Sequence, residues 1–258
     1  MYLVPKKSLG QHFLTDKNVA AKIISALQAS NCNTIVEIGP GQGILTDYLL
    51  QRIDKQIVLI EIDRRATEHL QHRFADKSFR LLNENFLQCD LTSVVIPPIA
   101  LIGNLPYNIS SPIFFKILDN KDLIPEVVCM VQKEVAERIA SAPGTKSYGI
   151  LSVLLQTFYS ADYLFGVGKK VFAPPPDVLS AVIRLRRNDR SSLPCPEKQF
   201  RRIVKAVFNQ RRKMLRNSLQ SIGIYLPSNS PFLTKRPEQL GVEDFIEIAR
   251  TAQDADTK

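Results

Sequence analysis

The sequence predicts an α/β fold with a mostly parallel sheet, followed by a small all-α domain. Three observations support this prediction: short β-branched runs alternate with helical stretches, a glycine-rich turn follows the first run, and the composition changes after residue 187. The 258 residues are 45% hydrophobic and 23% charged, which is ordinary for globular proteins. We therefore expect two domains, at residues 1–187 and 188–258.

The chain begins with a predicted helix ahead of the sheet. Thr15 or Asp16 can cap this helix, and Val19, Ile23 and Leu27 recur at helical spacing after the cap. Because four largely apolar runs follow and helical stretches separate them, we expect parallel strands that are covered on both faces. The runs lie at 34–38, 57–60, 100–102 and 127–131.

Two further runs, at 162–167 and 179–185, predict an antiparallel pair that ends the sheet. A proline-rich connection that includes Pro174 joins them. The polar residues 188–196 then predict a linker. Beyond the linker, an apolar stripe at helical spacing predicts a helix, with the residues Phe200, Ile203, Val204, Val207 and Phe208.

The net charge of the chain is +9 at pH 7. Residues 184–216 hold twelve basic and two acidic residues, a net charge of +10, so the rest of the chain is nearly neutral. This concentration predicts a polyanionic partner such as a nucleic acid. The alternative is a solvated basic face without a partner.

Several classes of protein are excluded by simple patterns. The longest apolar stretch, at 94–102, contains two prolines and is too short to span a bilayer. The start carries Lys6 and Lys7 without an apolar segment, so we expect no signal peptide. The four cysteines form no C-x-x-C pair, and His69 and His72 lie on a polar helical face. We expect a cytoplasmic monomer without a membrane segment or a metal.

A glycine turn follows the first strand at Gly39, Gly41 and Gly43. Glycine lets the backbone turn sharply and approach a ligand closely, and open α/β sheets bind ligands at this end of a strand. The spacing is G-x-G-x-G, whereas the dinucleotide-binding turn of oxidoreductases has its third glycine one place later. Glu61 ends the second strand, where a carboxylate can accept from both ribose hydroxyls of NAD or S-adenosylmethionine. The two features together predict a nucleoside site.

The run Asn104-Leu105-Pro106-Tyr107 follows the fourth strand. An exocyclic amine of a nucleobase is a poor nucleophile, and two acceptors for its N–H groups favour a more tetrahedral nitrogen. The Asn104 side-chain oxygen and the Leu105 carbonyl are candidates for these acceptors. Pro106 fixes the turn, and Tyr107 offers a ring on which a flipped base can stack. The alternative is a proline turn with a surface tyrosine.

The motifs resemble those of the small-subunit ribosomal RNA adenine N(6)-dimethyltransferases, which are related to the erythromycin-resistance methyltransferases. The resemblance covers nearly the whole chain and implies a Rossmann-like class I methyltransferase fold. The matching segments are Gly10-Gln11-His12-Phe13-Leu14, Val36-Glu37-Ile38-Gly39-Pro40-Gly41, Glu61-Ile62-Asp63-Arg64, Asn104 to Ser110, Gln132-Lys133-Glu134, Phe172 to Val178, and Phe208-Asn209-Gln210-Arg211-Arg212-Lys213.

The resemblance implies roles for particular residues. S-adenosylmethionine is the implied methyl donor, and the residues implied to bind it are His12, Leu14, Gly39, Gly41, Glu61, Asn85 and Asn104. Those implied at the target base are Asn104, Leu105, Pro106, Tyr107 and Phe172, with Phe172 stacking on the base from the side opposite Tyr107. The residues expected to hold RNA phosphates are Arg211, Arg212, Lys213 and Arg216.

Two positions depart from the family pattern. The family usually has Asp where Asn85 stands, and many relatives have Asn where His12 stands. Asn85 can still accept a hydrogen bond through its amide oxygen, so we expect weaker donor binding rather than its loss. The contact made by His12 stays open.

We therefore expect an enzyme that dimethylates two adjacent adenosines near the 3′ end of small-subunit (16S) ribosomal RNA, within an immature subunit. One alternative is a large-subunit adenine methyltransferase that confers macrolide resistance. Another is a non-catalytic assembly or transcription factor on the same fold, against which the intact run from Asn104 to Tyr107 argues.

Overall fold

A computed structural model describes residues 3–6, 9–51 and 54–254. The chain divides into two compact units. The sheet unit comprises Met1–Ala136 and Ser160–Arg187, and the helical unit comprises Glu137–Tyr159 and Asn188–Lys258.

The strands of the described residues are two to nine residues long. They are β1 (Phe13–Leu14), β2 (Thr34–Ile38), β3 (Gln56–Ile60), β4 (Arg80–Leu82), β5 (Ile99–Asn104), β6 (Glu126–Gln132), β7 (Tyr159–Val167), β8 (Phe172–Ala173), β9 (Ser180–Arg187), β10 (Ile224–Tyr225) and β11 (Gln253–Asp254). The main sheet has the order β4-β3-β2-β5-β6-β9-β7, while β1 pairs with β8 and β10 with β11.

The helices of the described residues connect these strands and form most of the helical unit. They are α1 (Lys17–Ala26), α2 (Thr46–Leu49), α3 (Arg64–Arg73), α4 (Leu91–Val94), α5 (Ser110–Asp119), α6 (Lys133–Ala140), α7 (Ile150–Phe158), α8 (Glu197–Asn209), α9 (Leu215–Gln220) and α10 (Val242–Thr251). Asp16 caps the first helix, since its carboxylate accepts from the backbone N–H groups of Asn18 and Val19.

The fold class predicted from the sequence is confirmed. Strands β4, β3, β2, β5 and β6 run parallel, and all five residues of β2 are buried. β9 pairs antiparallel with β6, with Val128 opposite Arg184. The apolar runs form buried strands because helices cover both faces of a parallel sheet.

The sheet has a topological switch point at its centre. The chain passes from β2 outward through β3 to β4, then returns to place β5 on the other side of β2. Connections leave the carboxyl ends of β2 and β5 in opposite directions, so a crevice opens between them. Open α/β sheets bind their ligands at such a point.

The helical unit includes residues that lie well before the predicted division at 187. Residues 137–159 group with the C-terminal helices because α7 is apolar on most of its surface and has to bury it. Tyr148 meets the ring of Phe208 at 5.9 Å, and Phe208 meets that of Phe245 at 5.7 Å. The predicted stripe on α8 is buried at Phe200, Ile203, Val204 and Val207.

Gly103, the residue before Asn104 on β5, has no space for a side chain. A Cβ there would lie 2.5 Å from the main-chain oxygen of Ile38 on β2. We expect Gly103→Ala to lower the free energy of unfolding by about 3 kcal/mol, the upper end of overpacking costs. Gly168→Ala is the matched control because nothing lies within 4 Å of its added Cβ. Equal urea midpoints for the two variants would contradict this packing.

Candidate active site

A cavity of about 250 Å³ lies at the carboxyl ends of the central strands, within the sheet unit. Five segments line it: the N-terminal segment, the turn after β2, the end of β3, the loop after β4 and the loop after β5. The lining residues are Leu9, Gly10, Gln11, His12, Phe13, Ile38, Gly39, Gly41, Ile60, Glu61, Ile62, Glu84, Asn85, Phe86, Leu87 and Asn104 to Ile109. Six of the predicted donor-binding residues line it: His12, Gly39, Gly41, Glu61, Asn85 and Asn104.

The glycine turn forms the floor of this cavity beside β2. Gly39 and Gly41 have φ angles of +64° and +54°, which only glycine adopts at little cost. A Cβ at Gly41 would also lie 2.8 Å from the ring of Phe13. The turn therefore exposes bare backbone to the cavity, so a ligand can approach it closely.

Glu61 places a buried carboxylate against the turn. Its Oε2 accepts from the Gly41 N–H at 3.0 Å, and its Oε1 accepts from the Asp63 N–H at 2.8 Å. Only 4% of the residue is exposed, and this burial raises the pKa of Glu61 above its ordinary value. Each carboxylate oxygen keeps a further lone pair, so Glu61 can still accept from a ligand.

Asn85 lines the cavity in the loop after β4. Its Oδ1 accepts from the backbone N–H of Leu87 at 3.0 Å. The oxygen that we expected to serve the ligand is therefore shared with the loop itself, whereas an Asp would have two such oxygens.

Asn104 ends β5 with its amide in a defined orientation. The side-chain nitrogen donates to the His12 carbonyl oxygen at 2.9 Å. Because a carbonyl oxygen only accepts, the nitrogen must face His12 and the Oδ1 of Asn104 is left as an acceptor. The next residue is fixed as well, since the Leu105 N–H donates to the Met130 carbonyl at 3.0 Å. Pro106 precedes the 3₁₀ turn Tyr107–Ile109.

The hydroxyl and the ring of Tyr107 each contact a neighbouring side chain. Its hydroxyl lies 2.6 Å from the Ser180 Oγ, and the His12 ring stacks on its ring with centroids 5.6 Å apart. The Nδ1 of His12 donates to the Pro174 carbonyl at 2.9 Å. Burial raises the pKa of Tyr107, which keeps the phenol neutral. Since His12 covers one ring face, a base that stacks on Tyr107 takes the opposite face or displaces the imidazole.

The structure does not bring Leu14 and Phe172 to the main cavity. They are paired partners in the short β1–β8 ladder, and they are 4% and 3% exposed, inside the hydrophobic core. Leu14 lines a second cavity of about 20 Å³, together with Gly39, Gly41 and Asn104. Phe172 is a core residue here, because the ladder turns its ring inward, so the stacking expected of it is absent from this structure.

The four predicted RNA-binding residues differ in their surroundings within the helical unit. Arg211 donates to the main-chain oxygens of Lys146 and Thr145 at 2.7 and 3.1 Å. Arg212, Lys213 and Arg216 are exposed. Arg211 therefore holds the helical unit together, and the other three remain candidates for phosphate contacts.

The positive charge of the basic segment, residues 184–216, is partly neutralised in the structure. At least six of its twelve basic residues form ion pairs, mostly with acids that come from other parts of the chain. Arg184 and Arg186 share Asp162 in the sheet unit, while Arg190 pairs with Glu243 in the helical unit. Summing charge along the sequence missed these partners because they are distant in the chain.

Two of the lining residues that were not predicted as site residues have unusual surroundings. Ile62 lines the cavity and is 51% exposed, an unusual environment for an apolar side chain at a strand end. Glu37 lines the smaller cavity, accepts from the Thr46 hydroxyl at 2.7 Å, and has its pKa raised to about 8 by burial. Glu37 is an acidic residue inside the apolar run of β2, and this feature of the sequence could have indicated a special role.

Residues 3–6, 9–51 and 54–254 contain neither a helix that could span a membrane nor a cluster of metal-ligating side chains. None of their helices has the length and apolar character needed to cross a bilayer. They contain no group of three His, Cys, Asp or Glu side chains arranged to hold a metal ion, and His69 and His72 form no such group.

The sequence comparisons with known proteins identify one family. Residues 4–230 match the family model for ribosomal RNA adenine dimethylase. The ribosomal RNA small subunit methyltransferase A of Parabacteroides distasonis is 49% identical over 251 residues, which cover 96% of this chain and 94% of that protein. The protein of the same name from Porphyromonas gingivalis is 48% identical over 261 residues, covering 98% and 99%.

Solved structures share the fold. A dimethyladenosine transferase from Plasmodium falciparum superposes with a TM-score of 0.76 at 25% identity, covering 92% of this chain and 96% of that one. The 23S rRNA methyltransferase ErmE superposes with a TM-score of 0.69 at 24% identity, covering 92% and 99%. At 24% identity, the similarity to ErmE concerns the fold alone.

Proposed function

This chain belongs to the ribosomal RNA adenine dimethylase family, and we propose that it dimethylates two adjacent adenosines near the 3′ end of small-subunit (16S) ribosomal RNA. The proposed methyl donor is S-adenosylmethionine. The choice of the small subunit is supported by relatives at 47–49% identity that carry small subunit methyltransferase names. We expect the enzyme to act as a monomer, in the cytoplasm, on an immature subunit.

The orientation of the Asn104 amide is the observation that carries this proposal. Its nitrogen is occupied by the His12 carbonyl, so Oδ1 is the atom left to accept a hydrogen bond from an adenine amine. The Leu105 carbonyl can accept from the second N–H of that amine. The two acceptors withdraw the amine from conjugation with its ring and aim its lone pair, which raises its nucleophilicity.

The cavity fits the proposed donor in two observed respects. Bare backbone at Gly39 and Gly41 allows close approach of the methionine part, and the buried Glu61 carboxylate can accept from the ribose hydroxyls. His12 and Asn85 also line this cavity, and Leu14 lines the smaller cavity together with Gly39, Gly41 and Asn104. When bound, S-adenosylmethionine supplies a methyl group that its sulfonium already activates. The protein then contributes alignment, and the amine loses its proton after transfer.

The exposed basic residues of the helical unit are proposed to bind RNA phosphates. We expect the double charge reversal Arg212→Glu, Lys213→Glu to weaken RNA binding about tenfold and to reduce its salt dependence by about one unit of slope per lost phosphate contact. Filter binding over a range of salt concentrations measures both. Lys22→Glu, on the exposed side of α1, is the control. An unchanged salt slope would mean that these residues are solvated surface.

Arg211 should behave differently from its neighbours. We expect Arg211→Ala to lower the thermal midpoint of the protein, because its guanidinium holds two main-chain carbonyls and pairs with Glu238. A variant that lost RNA affinity with an unchanged thermal midpoint would instead place Arg211 in the RNA site.

Methyl incorporation into three substrates tests the proposed function. The substrates are immature small subunits, naked small-subunit RNA and large subunits, each incubated with radiolabelled S-adenosylmethionine. We expect incorporation into small-subunit RNA only. Incorporation into large subunits would favour the large-subunit alternative, and RNA binding without incorporation would favour the non-catalytic factor.

A further inference from the structure

Asp63 is a buried carboxylate beside the cavity that no step of the reaction uses. Its side chain is 2% exposed, although it carries a charge. The Arg65 guanidinium donates to both of its oxygens, at 3.1 and 2.6 Å, and holds the pKa of Asp63 well below its usual range. Asp63 does not line the cavity itself.

Two further side-chain contacts of Asp63 come from the N-terminal segment. The Lys6 ammonium lies 3.3 Å from Oδ1, and the Gln11 amide donates to Oδ2 at 3.2 Å. Gln11 also accepts from the Lys6 N–H at 2.8 Å, which ties the two residues to each other. One carboxylate therefore holds both Lys6 and Gln11.

The residues on either side of Gln11 form one wall of the cavity. Leu9 to Phe13 all line it, and His12 supplies the carbonyl that orients Asn104. Gly10 packs so closely on Asn108 that an added Cβ would lie 2.8 Å from its Oδ1. The position of this wall depends on where the segment is held.

Through its backbone, Asp63 also contacts Glu61, another residue that lines the cavity. Its N–H donates to the Glu61 Oε1 at 2.8 Å, so it orients the carboxylate proposed to hold the ribose. A single residue thus connects the N-terminal wall with the Glu61 wall of the same cavity.

We propose that Asp63 is a positioning residue for the methyl donor. Its carboxylate holds the N-terminal segment through Lys6 and Gln11, a set of contacts that we call the latch, and its N–H orients Glu61. This inference rests on the proposed function, because it assigns the cavity to S-adenosylmethionine. Loss of the latch loosens a wall of the donor site without removing any group that touches the donor. Its effect therefore falls on donor affinity, while saturating donor restores the rate.

Two variants break the latch at different ends. Asp63→Asn removes the charge but keeps an oxygen able to cap α3, since Asn is as good an N-cap as Asp. Lys6→Met removes one partner in the N-terminal segment and leaves Asp63 with Gln11 and Arg65. Lys6→Arg is the conservative rescue, and Lys77→Met, at an exposed ion pair with Asp76, is the matched control.

Calorimetric titration with S-adenosylmethionine, amide hydrogen exchange of residues 9–13 and steady-state kinetics test the latch. We expect Asp63→Asn to raise the Kd of the donor roughly tenfold, as for loss of a charged hydrogen bond. Lys6→Met should raise it less, and Lys6→Arg should stay near the wild-type value. The KM for donor should rise, whereas kcat and the KM for RNA should stay unchanged. Amide exchange at residues 9–13 should accelerate.

Unchanged donor affinity and unchanged exchange in both Asp63→Asn and Lys6→Met would overturn the latch. A fall in kcat with unchanged KM for donor would overturn it as well, because that pattern belongs to the chemical step. If the wild type binds the donor but methylates no small-subunit RNA, the proposed function fails while the affinity comparison still decides the latch. If the wild type binds no donor, both proposals fail.

Discussion

Asn104→Ala is expected to lower the rate of methyl transfer by about 10²–10³-fold at saturating RNA and donor, the usual cost of removing one preorganised polar contact at a reacting centre. The physical reason is the loss of Oδ1 as an acceptor, since the amide nitrogen is already bonded to His12. RNA affinity should persist because the exposed basic residues are untouched. Single-turnover rates with preformed complexes measure the chemical step.

Two further variants make the Asn104 result specific. Asn31→Ala removes an exposed amide at the amino-terminal end of the same sheet and should leave the rate unchanged. Asn104→Asp keeps an acceptor oxygen but loses the donor to His12, so it should retain more activity than alanine. Appreciable turnover by Asn104→Ala would remove this residue from the centre of the mechanism.

Glu61→Ala is expected to raise the Kd of S-adenosylmethionine by about 10- to 100-fold, since a hydrogen bond to a charged group contributes about 1.5–3 kcal/mol. The carboxylate also accepts from the N–H groups of Gly41 and Asp63, so its loss frees the glycine turn as well. Calorimetry gives the affinity directly. Glu68→Gln, an exposed carboxylate of the following helix, should bind the donor as the wild type does.

The affinity for donor should also depend on pH through Glu61. Burial raises the pKa of this carboxyl, so it takes up a proton at a higher pH than an exposed glutamate. The ionised form is the better acceptor for ribose hydroxyls. Donor affinity should therefore fall as pH is lowered, and the fall should be smaller in Glu61→Gln. A pH profile identical in both proteins would assign the dependence to another group.

Much of the sheet unit could be predicted because its signals are local. The limits of β2 match its apolar run, and Asp16 caps α1 as one of the two residues considered. The glycine turn and Glu61 meet in one cavity because both follow parallel strands that end at the same edge. Periodicity and strand order were enough for these elements.

The predictions that differ from the structure concern contacts between distant parts of the chain. Phe172 is buried because β8 pairs with β1. This ladder is only two residues long, so no pattern in the sequence predicts it. Arg211 is held by carbonyls some 65 residues away, so its sequence neighbours gave no indication of that role. Residues 137–159 join the helical unit because α7 needs apolar partners, which composition alone does not locate.

Nucleoside mass spectrometry after incubation of small-subunit RNA with donor and enzyme tests the central claim most directly. The proposed function predicts N6,N6-dimethyladenosine at two adjacent positions near the 3′ end with the wild-type protein, and its near absence with Asn104→Ala. Methylation confined to large-subunit RNA, or small-subunit RNA without dimethyladenosine, would contradict the claim.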